Sequence, residues 1–139
     1  MTVAQMEQPL TTTPPQQLPG GDETILIIDD EEMVRSTAAR MLRRRGYTVL
    51  EAEDGESGLE TFEQNEEEIR LVLLDHSMPR MSGREVLNQL RAGQSHVRIV
   101  IITGATAGLN DFEGADELME KPFSLQILVG RVREILDSP

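Results

Sequence analysis

Three apolar runs in this chain each end on a side chain that carries charge or a hydroxyl. Ile25-Leu-Ile-Ile28 runs into Asp29 and Asp30, Leu71-Val-Leu-Leu74 into Asp75, and Ile99-Val-Ile-Ile102 into Thr103. Runs that are apolar at every position, rather than at every second one, suit strands covered on both faces, as in a parallel sheet. The segments between them have helical periodicity, so the alternation reads as successive βαβ units. In such a sheet the C-terminal strand ends share one edge, where α/β folds place their ligands. Three carboxylates at one edge repel one another and require positive charge. The chain supplies Lys121, in front of Pro122-Phe123, and room for a divalent metal. That combination points to chemistry on a phosphoryl group.

Composition narrows the classes. The chain has 139 residues, enough for one domain with a proper core and a tail. A net charge of −12 argues against direct binding of nucleic acid through a basic surface. Cysteine is absent, which excludes a disulfide framework and thiolate chemistry and fits a reducing cytoplasm. No apolar run approaches the roughly 20 residues needed to span a bilayer, and no basic-then-apolar leader opens the chain. Tyr47, Phe62, Phe112 and Phe123 are the only aromatic residues, so the core must be aliphatic.

Residues 1–21 read as a flexible tail or linker, since Gln, Thr and Pro dominate and too little apolar surface is available to offset chain entropy. The folded domain is expected over 22–139. Strands are expected near 24–28, 47–50, 71–74, 97–102 and 117–120. Helices are expected near 32–45, 56–64, 83–92 and 124–137, the last opened by Ser124 as N-cap. Asp54-Gly55 reads as a turn, and Gly46 as the end of the first helix. Between 103 and 117 the pattern weakens, and Gly104, Gly108, Asn110 and Gly114 leave room only for a stub of helix near 105–112. The resulting fold class is α/β, a doubly wound five-stranded parallel sheet of flavodoxin-like order 2-1-3-4-5 with a shortened fourth helix.

Four motifs stand in chain order: Ile25-Leu-Ile-Ile-Asp-Asp-Glu31, Leu73-Leu-Asp-His-Ser-Met-Pro79 with Met81-Ser-Gly83, Ile101-Ile-Thr103, and Lys121-Pro-Phe123. Over about residues 23–137 the chain resembles the receiver domain of two-component response regulators. Taken alone, each residue has an ordinary reading. An Asp-Asp pair after a strand is commonly a helix cap, a strand-end Asp or Thr can cap a turn, and a lone lysine usually sits on the surface. Five such residues in this order are hard to assign to coincidence.

Asp75 is then the phosphoacceptor, since a carboxylate at the end of a buried central strand can take a phosphoryl group as an acyl phosphate. The transition state is loose and anionic, so position and positive charge do most of the work. Asp30 and Asp75 can ligate Mg²⁺, and the resemblance adds the backbone carbonyl of Ser77 as a third ligand, with Asp29 holding water. Lys121 neutralises phosphoryl oxygens, and Thr103 can donate to one only when it is there, which makes Thr103 a sensor. The resemblance also implies a cis Lys121–Pro122 bond and a phosphodonor that is a histidine kinase or histidine phosphotransfer protein. His76 and His96 have no partner at ligand spacing and read as structural. Met33, Met41 and Met119 read as core filler or as a partner-facing surface.

Two features depart from the family pattern. The third residue before the lysine is usually an aromatic switch, and here it is Leu118. The span from Thr103 to Lys121 is also about four residues, one helical turn, shorter than usual. The face formed by the fourth helix, fifth strand and last helix should therefore be remodelled, with Leu118 and Ile127 more exposed, and a homodimer through it is one expectation. No output domain is expected after the last helix, and output is expected through a downstream protein partner. The chain could stand alone or belong to a hybrid histidine kinase. One rival reading is a Mg²⁺-dependent phosphatase of the haloacid-dehalogenase type, which wants a second Asp where Ser77 stands. Another is an interaction scaffold that is not phosphorylated.

Overall fold

A computed structural model describes residues 18–93, 95–104 and 111–139. Strands β1 (Thr24–Ile28), β2 (Thr48–Ala52), β3 (Ile69–Asp75), β4 (Arg98–Thr103) and β5 (Glu117–Glu120) alternate with helices α1 (Glu32–Arg43), α2 (Gly55–Gln64) and α3 (Gly83–Ala92), and α4 (Leu125–Asp137) closes the chain. All pairings are parallel and the order is β2-β1-β3-β4-β5, as the sequence predicts. The expected stub near 105–112 falls largely outside the described residues, so the last helix is α4 here.

The apolar runs are explained by two cores, one on each face of the sheet. Ile25, Ile27, Leu71, Leu73, Val100 and Ile102 point to the side of α1 and α4, against Ala38, Leu42, Leu128 and Val132. Leu26, Ile28, Val72, Leu74, Ile99 and Ile101 point to the side of α2 and α3, against Phe62, Val86, Leu87 and Leu90. Alternate residues thus bury on opposite faces, and neither face has room for a polar residue. The open question about the methionines resolves position by position: Met119 is buried, Met41 half-buried, and Met33 exposed.

Element ends follow local chemistry. Ser82 and Ser124 cap α3 and α4 by accepting from Glu85 N and Ile127 N. Asp54, expected in a turn, is the N-cap of α2, its carboxylate accepting from Ser57 N at 2.7 Å, and this holds it below the usual carboxylate range. Strands β2 and β3 run further than expected, to Ala52 and from Ile69. Gly46, at φ 103°, turns the chain out of α1 in a conformation that disfavours other residues. Residues 18–21, counted with the tail in the sequence, lie against the domain. Leu18 packs on the α1/α4 core, Gly21 N donates to Arg45 O, and Gly20 O accepts from Arg133.

Candidate functional site

Parallel register brings the strand ends level. Ile28 pairs with Leu74, and Leu74 with Ile101, so Asp29 and Asp75 leave the sheet side by side, while Thr103 ends β4 one residue past the partner of Asp75. Carboxylate oxygens of Asp29, Asp30 and Asp75 lie within 4.8 Å of one another. Asp29 and Asp75 are buried and Asp30 is exposed, so the cluster sits at the bottom of the edge with one side open to solvent.

Lys121 reaches this cluster from the end of β5. Its Nζ is 3.3 Å from Asp75 Oδ1, 3.4 Å from Asp29 Oδ2 and 3.1 Å from Glu31 Oε1. Its backbone N–H donates to Thr103 O at 2.8 Å, which fixes the lysine to the end of β4. The Lys121–Pro122 peptide is cis, as the resemblance implied. Glu31 was not among the site residues read from sequence, although it makes the shortest contact to the amine. The only available signal was its place at the end of the first motif.

One lysine does not balance this charge. Asp75 is pushed up to about 7, first by burial and then by the neighbouring Asp29 charge, with Lys121 opposing and Asp30 adding to the rise. Burial also works against the lysine's charge, but Glu31, Asp29 and Asp75 outweigh it and raise Lys121 above its ordinary value. Both partners therefore shift upward. An exposed pair would lower the acid; at Asp75 burial, helped by the Asp29 charge, outweighs the lysine.

The hydrogen bonds show the same deficit. Asp29 Oδ1 accepts from Glu31 N at 2.9 Å, closing the turn into α1, so the capping reading of Asp29 holds for one oxygen. Among the described residues, Asp29 Oδ2 has only the 3.4 Å ion contact to the lysine and no hydrogen bond, and Asp75 Oδ2 is likewise buried without one. Buried carboxylate oxygens rarely go unsatisfied. A hard divalent cation ligated only by oxygens is a fitting occupant for two orphaned oxygens beside a third carboxylate.

The surrounding turn is built to keep the end of β3 close to α3. A Cβ on Gly83 would lie 2.5 Å from Asp75 O and 2.9 Å from His76 Cα, so only glycine admits this approach. Ser77 is exposed in the same turn, and Arg80 takes a positive φ of 67° within it. Thr103 is buried at the strand end. Leu118 is half-buried, partly against the α2/α3 core, whereas Ile127 is 51 % exposed. His96 is exposed. His76 Nδ1 is buried without a hydrogen bond among the described residues.

With this geometry, residues 25–133 match the response regulator receiver domain, and the chain belongs to that family. It is similar to the sensory transduction protein RegX3 of Mycolicibacterium smegmatis, 36 % identical over 100 residues, which cover 69 % of this chain and 42 % of that protein. The chain thus spans under half the length of that relative. Its fold matches the crystal structure of a response regulator receiver domain protein from Clostridium thermocellum, with TM-score 0.77, 31 % identity, and coverage of 83 % of this chain and 94 % of that one. It also matches the response regulator TrrA from Thermotoga maritima in complex with Mg²⁺-BeF, with TM-score 0.74, 31 % identity, and coverage of 81 % and 98 %.

Proposed function

We propose that Asp75 is the phosphoacceptor and that the chain is a phosphorylation-operated switch in a two-component pathway. A phosphohistidine on a histidine kinase or phosphotransfer protein donates the group. The P–N bond breaks as a bond forms from a carboxylate oxygen of Asp75 to phosphorus, and the leaving imidazole takes up a proton. Asp30, Asp75 and the Ser77 carbonyl would hold Mg²⁺, with Asp29 acting through water, and the ion would neutralise charge on the transferring group.

The chain's own residues do the remainder. The Lys121 amine, now shared among three carboxylates, is within reach of a phosphoryl oxygen on Asp75. Thr103, tied to the lysine through its carbonyl, would donate its hydroxyl to the same group and draw the end of β4 toward it. Leu118, next to the β5 end, stands at the position of the family's aromatic switch. The folded unit is taken as 22–139, with 1–21 as a tail or linker whose residues 18–21 lie against the domain, a cytoplasmic setting, and output through a downstream protein partner. The half-exposed Ile127 suits a contact on that face, including a second copy.

The observation that carries this reading is the pair of buried carboxylate oxygens, Asp29 Oδ2 and Asp75 Oδ2, that have no hydrogen bond among the described residues. Incubation with a phosphorylated histidine kinase and Mg²⁺ should label the chain with base-labile phosphate, and Asp75→Asn should abolish the label. Undiminished labelling of that variant would refute the assignment.

A further inference from the structure

The structure leaves a question that the site itself does not answer. Leu118 has no ring to swing, so another element must carry the state of Asp75 to the rest of the surface. Phe112 is a candidate that lies outside the site. It is 2 % exposed and belongs to the α2/α3 core, although it sits in the irregular segment just ahead of β5. Its ring meets that of His76 edge to face, with centroids 4.8 Å apart and planes at 80°. His76 is the residue directly after Asp75. The guanidinium of Arg84, in the first turn of α3, lies 5.5 Å from the Phe112 ring centre and donates to Asp111 O.

The segment is fastened at its far end too. Arg91 donates to Gly114 O at 2.8 Å and to Asp116 at 3.1 Å, and Asp116 N donates to Ile99 O. Residues 111–116 are therefore held at several points, and among these the Phe112–His76 contact is the one to the residue beside the nucleophile. That contact is made by packing alone. Among the described residues His76 Nδ1 has no hydrogen bond, and the backbone of His76 is held separately by Ile102 O and Gly83 N. The ring can reorient without disturbing the strand end. A polar contact would have pinned it.

We infer that the Phe112–His76 ring pair, clamped from outside by Arg84, is the two-position element that relays the state of Asp75 to the segment ahead of β5. This rests on Asp75 being the phosphoacceptor. In the unmodified chain the rings are closed, as in this structure. When Thr103 moves toward a phosphoryl group, the end of β4 that accepts from His76 N and from Lys121 N moves with it, and the ring pair opens. Phe112 then leaves its buried seat, and residues 111–118 rearrange. The coupling is physical because one packed contact has two arrangements that the site biases.

Beryllofluoride with Mg²⁺ is the probe, read by amide and aromatic NMR spectra of the whole chain. In the wild type, amides around Asp75 and those of Gly114 and Leu118 should shift together, and the His76–Phe112 NOE should vanish. Phe112→Leu keeps apolar bulk but removes the ring. It should bind the probe within about threefold of wild type while losing at least roughly half of the Gly114 and Leu118 response, as expected for a lost coupling contact. Arg84→Met, an exposed change that leaves the core intact, should shift Gly114 and Leu118 part of the way without the probe. Equal distal responses in wild type and both variants, or an NOE that survives the probe, would overturn the relay and leave the phosphoacceptor assignment standing. No response at Asp75 in the wild type would overturn both.

Discussion

The two edges of this sheet are made from similar residues and treated oppositely. At the N-terminal edge, Arg133 donates to Glu23 at 2.7 Å, to Asp137 at 2.8 Å and to Gly20 O, and lies beside the Tyr47 hydroxyl. Glu23 and Asp137 share this one arginine, Glu23 is held below the usual carboxylate range by its bond to Arg133, and the arginine is raised. At the C-terminal edge, buried carboxylates outnumber their one lysine, oxygens go without hydrogen bonds, and Asp75 is driven upward. One edge contributes stability. The other gives up stability to keep a reactive carboxylate in place, as functional sites commonly do.

The sharpest way to break this contrast is Asp75→Asn. The variant should lose all labelling and yet become more stable than the metal-free wild type at pH 8, because a destabilising buried charge is removed. With Asp75 moved from 3.8 to about 7, the gain is at most about 4 kcal/mol, readable in urea denaturation. The pH dependence has a definite sign. A carboxylate raised in the folded state holds its proton more tightly there, so metal-free wild type should lose stability as pH rises from about 4 to about 7. Asp75→Asn should flatten that slope.

Next in size is Arg133→Ala, which strands Glu23 and frees Gly20. It should cost about 1–2 kcal/mol and leave labelling untouched. Glu23 is lowered in the folded state, so the wild-type stability from this pair is lost as pH falls through its folded value. The variant should show less acid sensitivity below about pH 4. A drop in labelling would mean that the two edges are coupled rather than separate.

Magnesium should act on one edge alone. At a concentration ten times Kd it should add about 1.4 kcal/mol, seen as a rise in Tm at pH 8 that shrinks by pH 5, where Asp75 is protonated. Arg133→Ala should keep the full rise. The smallest effect is expected from Ser124→Ala, which removes the α4 cap for about 1 kcal/mol and changes neither labelling nor the magnesium response.

Much of this was legible in the sequence, for identifiable reasons. Unbroken apolar runs such as Leu71–Leu74 require both faces to be covered, which fixes a parallel sheet, and a parallel sheet puts Asp29, Asp75 and Thr103 at one edge. What escaped depends on distances between segments far apart in the chain. Glu31 reaches Lys121 across 90 residues, and nothing near Phe112 along the chain places its ring on His76. Asp54 looked like a turn residue because capping and turn chemistry use the same side chains. Residues 18–21 read as tail by composition, but three backbone and guanidinium contacts hold them to the domain.

The central claim is that the Asp29–Asp30–Asp75 edge carries excess negative charge that a divalent ion relieves. Carbon-13 NMR titration of the Asp75 carboxyl group tests it directly, with and without Mg²⁺. The account predicts titration near pH 7 in the metal-free chain and a fall toward the ordinary carboxylate range when Mg²⁺ is added. Titration near 4 in both conditions, with no change on adding the ion, would contradict it.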